Sequence, residues 1–320
     1  MGVVMTYDQD DSVQVEKQLE LGSFSVTIEA ATTAGKTLSD TPSKPNEDTF
    51  SVVQWGRDIV AAVFDGATGQ KTIPEIEPTT SARFASHALK EILETIEPIP
   101  DMKELVSQLN RLLGDKLTAF PSVDLADVNS LPTSTATIVK INSEASKVEV
   151  GHIGDSFAVA LMNNGDVRLL TDNLHRAFDE KVLGLIGSIA AEKSISQREA
   201  RADPLIKQAI MASHQYERNR PDGTGSGAVN SDPNMERYIH ISSAPLNEVK
   251  AILIGSDGLL PPNKSEQSKD DQKWLFETTQ NSGLQGLIQA IRQIEDEDPE
   301  WKYVRYKHSD DATGVLIRIS

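Results

Sequence analysis

The chain has 320 residues, 38% hydrophobic and 25% charged, with 48 acidic against 31 basic side chains and a net charge of −17. That is the composition of a globular protein long enough to bury a sizeable core in one large or two ordinary domains. The charge repels nucleic-acid backbones and anionic lipid, so neither is an expected partner. The lack of cysteine removes disulfides, thiolate zinc sites and cysteine nucleophiles together. No apolar run approaches the roughly 18 residues a membrane span needs, and the acidic start has neither the basic nor the apolar part of a secretion signal. A cytoplasmic location is the expectation.

Taken in order, residues 1–20 are polar and weakly patterned, and a flexible lead-in is expected there. Phe24-Ser25-Val26-Thr27-Ile28 alternates as a half-buried strand does. Residues 30–37 then mimic a phosphate-binding loop ending in Gly35-Lys36-Thr37. Such a loop must open a helix whose N-terminus faces the phosphates. Pro42 and Pro45 follow among turn formers, so a surface turn is the better reading. The β-branched and aromatic run 49–55 and the apolar run 58–64 flank Gly56 and read as a hairpin that brings Asp48 toward Asp65.

Two one-sided helices are expected next, one from Thr80 to Ile96 and one capped by Asp101 and reaching Leu117. Period-two alternation then predicts four short strands within residues 134–141, 147–153, 157–161 and 167–170. Their connections are short, one containing Asn164-Gly165, so they form an antiparallel meander. Residues 174–235 carry helical patches at 178–186 and 196–211, followed by a loop of glycines with Arg218 and Arg220. Those residue types suit phosphate, but no strand feeds straight into the loop, so it reads as a surface flap. Strands at 238–241 and 251–254 lead to Asp257-Gly258. Two helical stretches, 271–279 and 284–294, and a last strand at 314–319 complete the chain. Helices grouped apart from antiparallel strands imply an α+β protein. One domain, residues 21–320, with a helical flap insertion at about 174–235, is the expected organisation.

Asp48, Asp65, Asp155, Asp257 and Asp310 each stand at a strand edge. Any one aspartate in such a place commonly caps a turn. Five together point to oxygen-only coordination, which suits Mg²⁺ or Mn²⁺, and glycine beside Asp65 and Asp257 lets the backbone come close to a ligand. Two such ions sharing a carboxylate, about 4 Å apart, acidify a water between them and clamp a phosphoryl group for in-line attack.

The ordered set Asn46-Glu47-Asp48, Val63-Phe64-Asp65-Gly66, Ser134-Thr135-Ala136, Ile153-Gly154-Asp155-Ser156, Gly255-Ser256-Asp257-Gly258 and Ser309-Asp310-Asp311-Ala312-Thr313 resembles the metal-dependent type 2C protein phosphatases. The resemblance runs from about residue 22 to residue 320. It implies a four-layer sandwich, two antiparallel β-sheets flanked by helices on both faces. It also implies hydrolysis of phosphoserine or phosphothreonine on a protein substrate by a metal-bridged water. By position, Asp65 resembles the bridging ligand of two Mn²⁺ or Mg²⁺ ions, and Gly66 the carbonyl ligand of one. Asp257 and Asp310 resemble ligands of the other ion, and Asp48 resembles the acid that orients metal waters. Asp155 resembles the ligand of a third, weaker ion.

The chain departs from the family in several places. Ser43 stands where many members have a phosphate-binding arginine, which leaves Lys44 as the candidate substitute, a point charge without a bidentate fork. Ala67 replaces a histidine found in eukaryotic members, and Phe157 an arginine. The alternative to an enzyme is a non-catalytic regulatory module of the same fold that binds a partner or phosphoprotein.

Overall fold

A computed structural model describes residues 3–4, 12–21, 24–36, 45–67, 73–127 and 130–320. In chain order the strands begin with β1 (Val3–Val4), β2 (Ser12–Leu21), β3 (Phe24–Thr33), β4 (Thr49–Trp55), β5 (Asp58–Phe64) and β6 (Gly66–Ala67). Helices α1 (Ser81–Leu93) and α2 (Met102–Leu117) come next, then β7 (Thr133–Ser134), β8 (Ala136–Asn142), β9 (Lys147–Ile153), β10 (Phe157–Met162) and β11 (Val167–Leu169). Helices α3 (Arg176–Lys193), α4 (Gln197–Ala200) and α5 (Pro204–Tyr216) precede β12 (His240–Pro245) and β13 (Val249–Gly255). Helix α6 (Lys269–Asp296) and β14 (Ala312–Ile319) end the chain.

Two six-stranded antiparallel sheets form, in the orders β1-β4-β5-β8-β9-β12 and β11-β10-β13-β14-β3-β2. Their facing sides interdigitate through Phe50, Ile59 and Val63 from one and Ile28, Ile252 and Ile317 from the other. Because successive strand residues point to opposite faces, Val60, Ala62 and Phe64 turn outward, where Leu89, Leu105 and Leu109 of α1 and α2 cover them. On the far side Val159, Leu253 and Leu316 pack under Leu275 and Leu287 of α6. The layers are therefore helix, sheet, sheet, helix, as expected of the α+β sandwich. No helix among the described residues is long and apolar enough to cross a membrane.

The helix ends follow local chemistry. The Thr80 hydroxyl accepts the Arg83 amide and the Asp101 carboxylate accepts the Glu104 amide, so α1 and α2 start at those caps. Helix α6 is broken at Gly283, which takes φ 69°, and the second half is capped from another strand when Glu29 Oε1 accepts the Leu284 amide at 2.6 Å. The expected pair of helical stretches is this one interrupted element.

Three expectations differ. The polar start is strand β2 from Ser12 onward, where the alternation ending in buried Leu19 and Leu21 pairs it along all of β3. The first half of the loop mimic, residues 30–33, is strand, since β3 runs to Thr33. Lys36 at its far end pairs with Asp296 at 3.6 Å. The helical patch at 196–211 divides, because Asp203 caps a new helix with Pro204 at its first position. Helices α3 to α5 share their own apolar centre of Val182, Ile186, Ile189, Ala200 and Ile206, against which Val304 and Tyr306 pack.

Candidate active site

The register of the sheets gathers the carboxylates. Thr49 pairs with Phe64, so Asp48 and Asp65 leave neighbouring strands at one edge. In the other sheet Gly255 pairs with Gly314 and with Phe157, which brings the segments holding Asp257, Asp310 and Asp155 to a common edge. Asp65, Gly66, Asp155, Asp257 and Asp310 all line one cavity of about 250 Å³. Asp48 lies behind them, buried at 4% exposure.

The six sequence motifs lock one another in place. The Asp65 carbonyl accepts the Thr135 amide at 2.8 Å and the Ser134 hydroxyl at 2.8 Å. Thr135 Oγ1 shares a 2.6 Å hydrogen bond with Ser156 Oγ, tying that turn to the one holding Asp155. Asn46 donates to Thr32 Oγ1 at 2.7 Å, and Thr32 shares a 2.6 Å bond with Thr313. Ser256 and Thr313 exchange backbone contacts, the Ser256 amide reaching the Thr313 carbonyl at 2.9 Å and the Thr313 amide reaching Ser256 Oγ at 3.0 Å.

The two Asp-Gly glycines are required by packing. A Cβ on Gly66 would stand 2.5 Å from the Glu47 carbonyl and 2.6 Å from that of Ala82. One on Gly258 would stand 1.9 Å from the Asp311 carbonyl. Close backbone approach, rather than room for a ligand, therefore excludes a side chain at both.

Asp310 and Asp311 have different tasks. Asp311 spends both oxygens on backbone amides, Oδ1 on Gly35 at 2.7 Å and Oδ2 on Glu47 at 2.8 Å. Asp310 faces the cavity, its carbonyl held by Arg292 at 2.5 Å and its carboxylate paired with the Lys307 ammonium. Lys307 was not foreseen from the sequence; its only signal is its place three residues before Asp310.

Charge accumulates at this edge without full compensation. Burial, with Asp311, Asp310 and Asp257 nearby, holds the Asp48 carboxyl well above the usual range, against a lowering contact from Ser256. One of its oxygens, Oδ2, is buried with no hydrogen-bond partner. Burial and then Asp48, Asp155 and Asp310 raise Asp65 likewise. Asp257 is reached by solvent from the cavity, yet the surrounding walls and then Asp310 and Asp65 raise it too. Buried carboxylates whose charged forms are disfavoured by burial and by one another, with one orphaned buried oxygen, are a donor set suited to a hard divalent cation. No three carboxylate or imidazole side chains among the described residues stand close enough together to make a finished ligand group.

Asp155 differs from the others. His175 Nδ1 donates to its Oδ2 at 2.9 Å, while His175 Nε2 donates to the Gly227 carbonyl at 3.1 Å. With acceptors at both nitrogens the ring is held as imidazolium. Burial pushes Asp155 up, but His175 outweighs it and its carboxyl falls below the usual range. Asp155 thus already has a cation.

The segment after the meander adds His175, Asp179, Arg201, His214 and Arg218 to the same cavity, with Lys307 from the last loop. Burial, with Arg218 and His175 nearby, pushes His214 down to about 3, so the cations from this segment are Arg201, Arg218 and the His175 imidazolium. Sequence reasoning singled out Arg218 only as one of two loop arginines and missed the rest, because nothing in a helical stretch says which face meets a distant strand end. Lys44, the expected phosphate ligand, lies outside the described residues.

A family profile described as protein phosphatase 2C matches residues 41–294. Among solved structures, serine/threonine phosphatase Stp1 from Staphylococcus aureus is similar at 15% identity and a TM-score of 0.53, covering 96% of this chain and 98% of that one. A bacterial serine phosphatase is similar at 14% identity and a TM-score of 0.51, covering 92% and 97%. No curated protein sequence matches the chain. The structural likenesses speak for the fold.

Proposed function

Since the chain belongs to the protein phosphatase 2C family, we propose that it is a phosphoprotein phosphatase that hydrolyses phosphoserine and phosphothreonine with two Mn²⁺ or Mg²⁺ ions. The observation that carries this reading is the convergence of Asp65, Asp257 and Asp310 from separate strand ends on one cavity, with Asp48 buried behind them. Asp65 and the Gly66 carbonyl would hold one ion, with Asp65 shared, and Asp257 and Asp310 the other. Asp155 is the candidate for a third and weaker ion. When bound, the ions supply an acidified water and a clamp on the phosphoryl oxygens.

The chain's own residues do the rest. Asp48, with one buried oxygen unengaged, would orient a water at the cluster by accepting a hydrogen bond from it. Asp311 and Arg292 hold the backbone of the last motif so that Asp310 keeps its direction. Lys307, paired with the Asp310 carboxylate, would compete there with a divalent cation.

The test is hydrolysis of a generic aryl phosphate. Activity should vanish in a chelator and in Asp65→Asn, and activity that survives both would sink the reading. The pairing of Lys307 with Asp310 favours one second reading, a non-catalytic module that binds phosphoprotein. Full metal occupancy without turnover of any phosphopeptide would select it.

A further inference from the structure

We propose that Arg218 seats the substrate's phosphoryl group, taking the role for which the sequence offered Lys44. This deepens the phosphatase reading and rests on it. Arg218 Nη1 donates to Thr133 Oγ1 at 3.1 Å, and Thr133 pairs with Ala67 while Ser134 pairs with Gly66. The guanidinium is therefore fixed to the two-stranded ladder that begins immediately after Asp65. It lines the same cavity as Asp65, Asp257 and Asp310.

Charge points the same way. Among the described residues Arg176, Arg220, Arg292 and Arg305 each have a carboxylate at ion-pair distance, from Glu266, Asp222, Glu295 and Asp298. Arg218 has none, in a chain of net charge −17. Burial pushes its guanidinium down to about 10, with Asp155 opposing, so it stays charged at neutral pH. A guanidinium only partly exposed and without a carboxylate partner loses hydration that nothing replaces, and a dianionic ester offsets that loss through two parallel hydrogen bonds. A dianion entering a cavity lined by Asp65, Asp257 and Asp310 in turn needs cations in the same lining. Arg201, stacked 5.9 Å from the Tyr306 ring centre, adds a second positive charge there.

The backbone around Arg218 is also held in place. The glycine loop that read as a surface flap folds back onto the arginine's own backbone. The Asn219 amide donates to the Ser226 carbonyl at 2.8 Å and the Ser226 amide to the Glu217 carbonyl at 2.9 Å. Asn219, 2% exposed, donates to the Ala228 carbonyl and to Asn230 Oδ1, both at 2.8 Å. A Cβ on Gly225 would stand 2.1 Å from the Glu217 carbonyl, so glycine is what permits the closure. Arg220, the loop's other arginine, is tied to Asp222 at the surface.

The test titrates inorganic phosphate into the Mn²⁺-loaded full chain by calorimetry and measures KM and kcat on an aryl phosphate. Wild type, Arg218→Ala, Arg218→Lys and the surface control Arg220→Ala are compared. Arg218→Ala should weaken phosphate binding and raise KM by about tenfold or more while kcat changes less, as expected for an interaction made in both ground and transition states. Arg218→Lys, which keeps the charge but loses the fork, should fall between. It decides the matter if the alanine variant fails to fold. Arg220→Ala and the Mn²⁺ affinity of every variant should stay at wild-type values.

Wild-type phosphate affinity in Arg218→Ala, or no phosphate binding by the wild type, overturns the assignment. Turnover with phosphate binding indifferent to Arg218 defeats the assignment alone. Phosphate binding that depends on Arg218 without any turnover defeats the phosphatase reading and leaves the seat standing.

Discussion

Asp311 and Glu47 are joined through the Glu47 amide, which donates to Asp311 Oδ2 at 2.8 Å across a separation of 264 residues. The other Asp311 oxygen takes the Gly35 amide at 2.7 Å. One carboxylate thereby ties the first motif to the last. Replacing it with alanine strands two amide donors in a largely buried place, each costing about 1–3 kcal/mol. Asp311→Ala should lower stability by roughly 2–5 kcal/mol in urea denaturation, with Asp311→Asn milder because one acceptor survives.

Much of this arrangement was legible in the sequence, because its signals are local. Run 49–55 is β-branched and aromatic, run 58–64 is apolar, and the turn at Gly56 separates them, so their pairing and the approach of Asp48 to Asp65 followed directly. The caps at Thr80 and Asp101 were legible because capping is a contact within one turn. The carboxylates converge because strand ends converge. What stayed hidden depends on partners far away in sequence. Ser12–Leu21 is a strand because β3 offers it an edge. The orientation of Arg218 is set by Thr133, 85 residues away. The division of labour between Asp310 and Asp311 was reached only by likeness to a family, since adjacent aspartates carry no local sign of which one faces a cavity.

The Lys307 ammonium occupies a carboxylate that a divalent cation would need. Lys307→Gln should therefore tighten Mn²⁺ binding, by roughly three- to tenfold, since a competing exposed charge contributes about 1 kcal/mol. Calorimetric titration with Mn²⁺ checks this. Unchanged or weaker affinity would mean that Lys307 does not compete for Asp310.

His152 sets a limit at acid pH. Its Nε2–H donates to the Asp172 carbonyl at 2.7 Å, and its Nδ1 accepts the Thr137 hydroxyl at 2.9 Å, so the ring is held neutral. Burial pushes it down to about 4 from 6.5. Between those values the unfolded chain takes up a proton that the folded chain refuses. Stability is then fully present above pH 6.5 and falls as the pH drops toward about 4. The loss reaches at most about 3 kcal/mol. Urea midpoints measured across this range should decline, and His152→Gln should flatten the decline.

The glycine of the second Asp-Gly has no room for a methyl group, its Cβ position lying 1.9 Å from the Asp311 carbonyl. Gly258→Ala should displace Asp257 relative to Asp310 and cost about 2–4 kcal/mol of stability, in the range of overpacked buried sites. Gly165→Ala is the contrast: it has nothing within 4 Å but a φ of 84°, so its cost is only turn strain, about 1 kcal/mol. Thermal melts of the two variants separate the cases.

The most direct test of the account is release of phosphate from a phosphothreonine peptide, followed with Mn²⁺, with chelator, and with Asp257→Ala in Mn²⁺. The account predicts release with Mn²⁺ alone, and loss of nearly all of it in the other two conditions. Equal release in chelator, or an Asp257→Ala variant as active as the wild type, would contradict it.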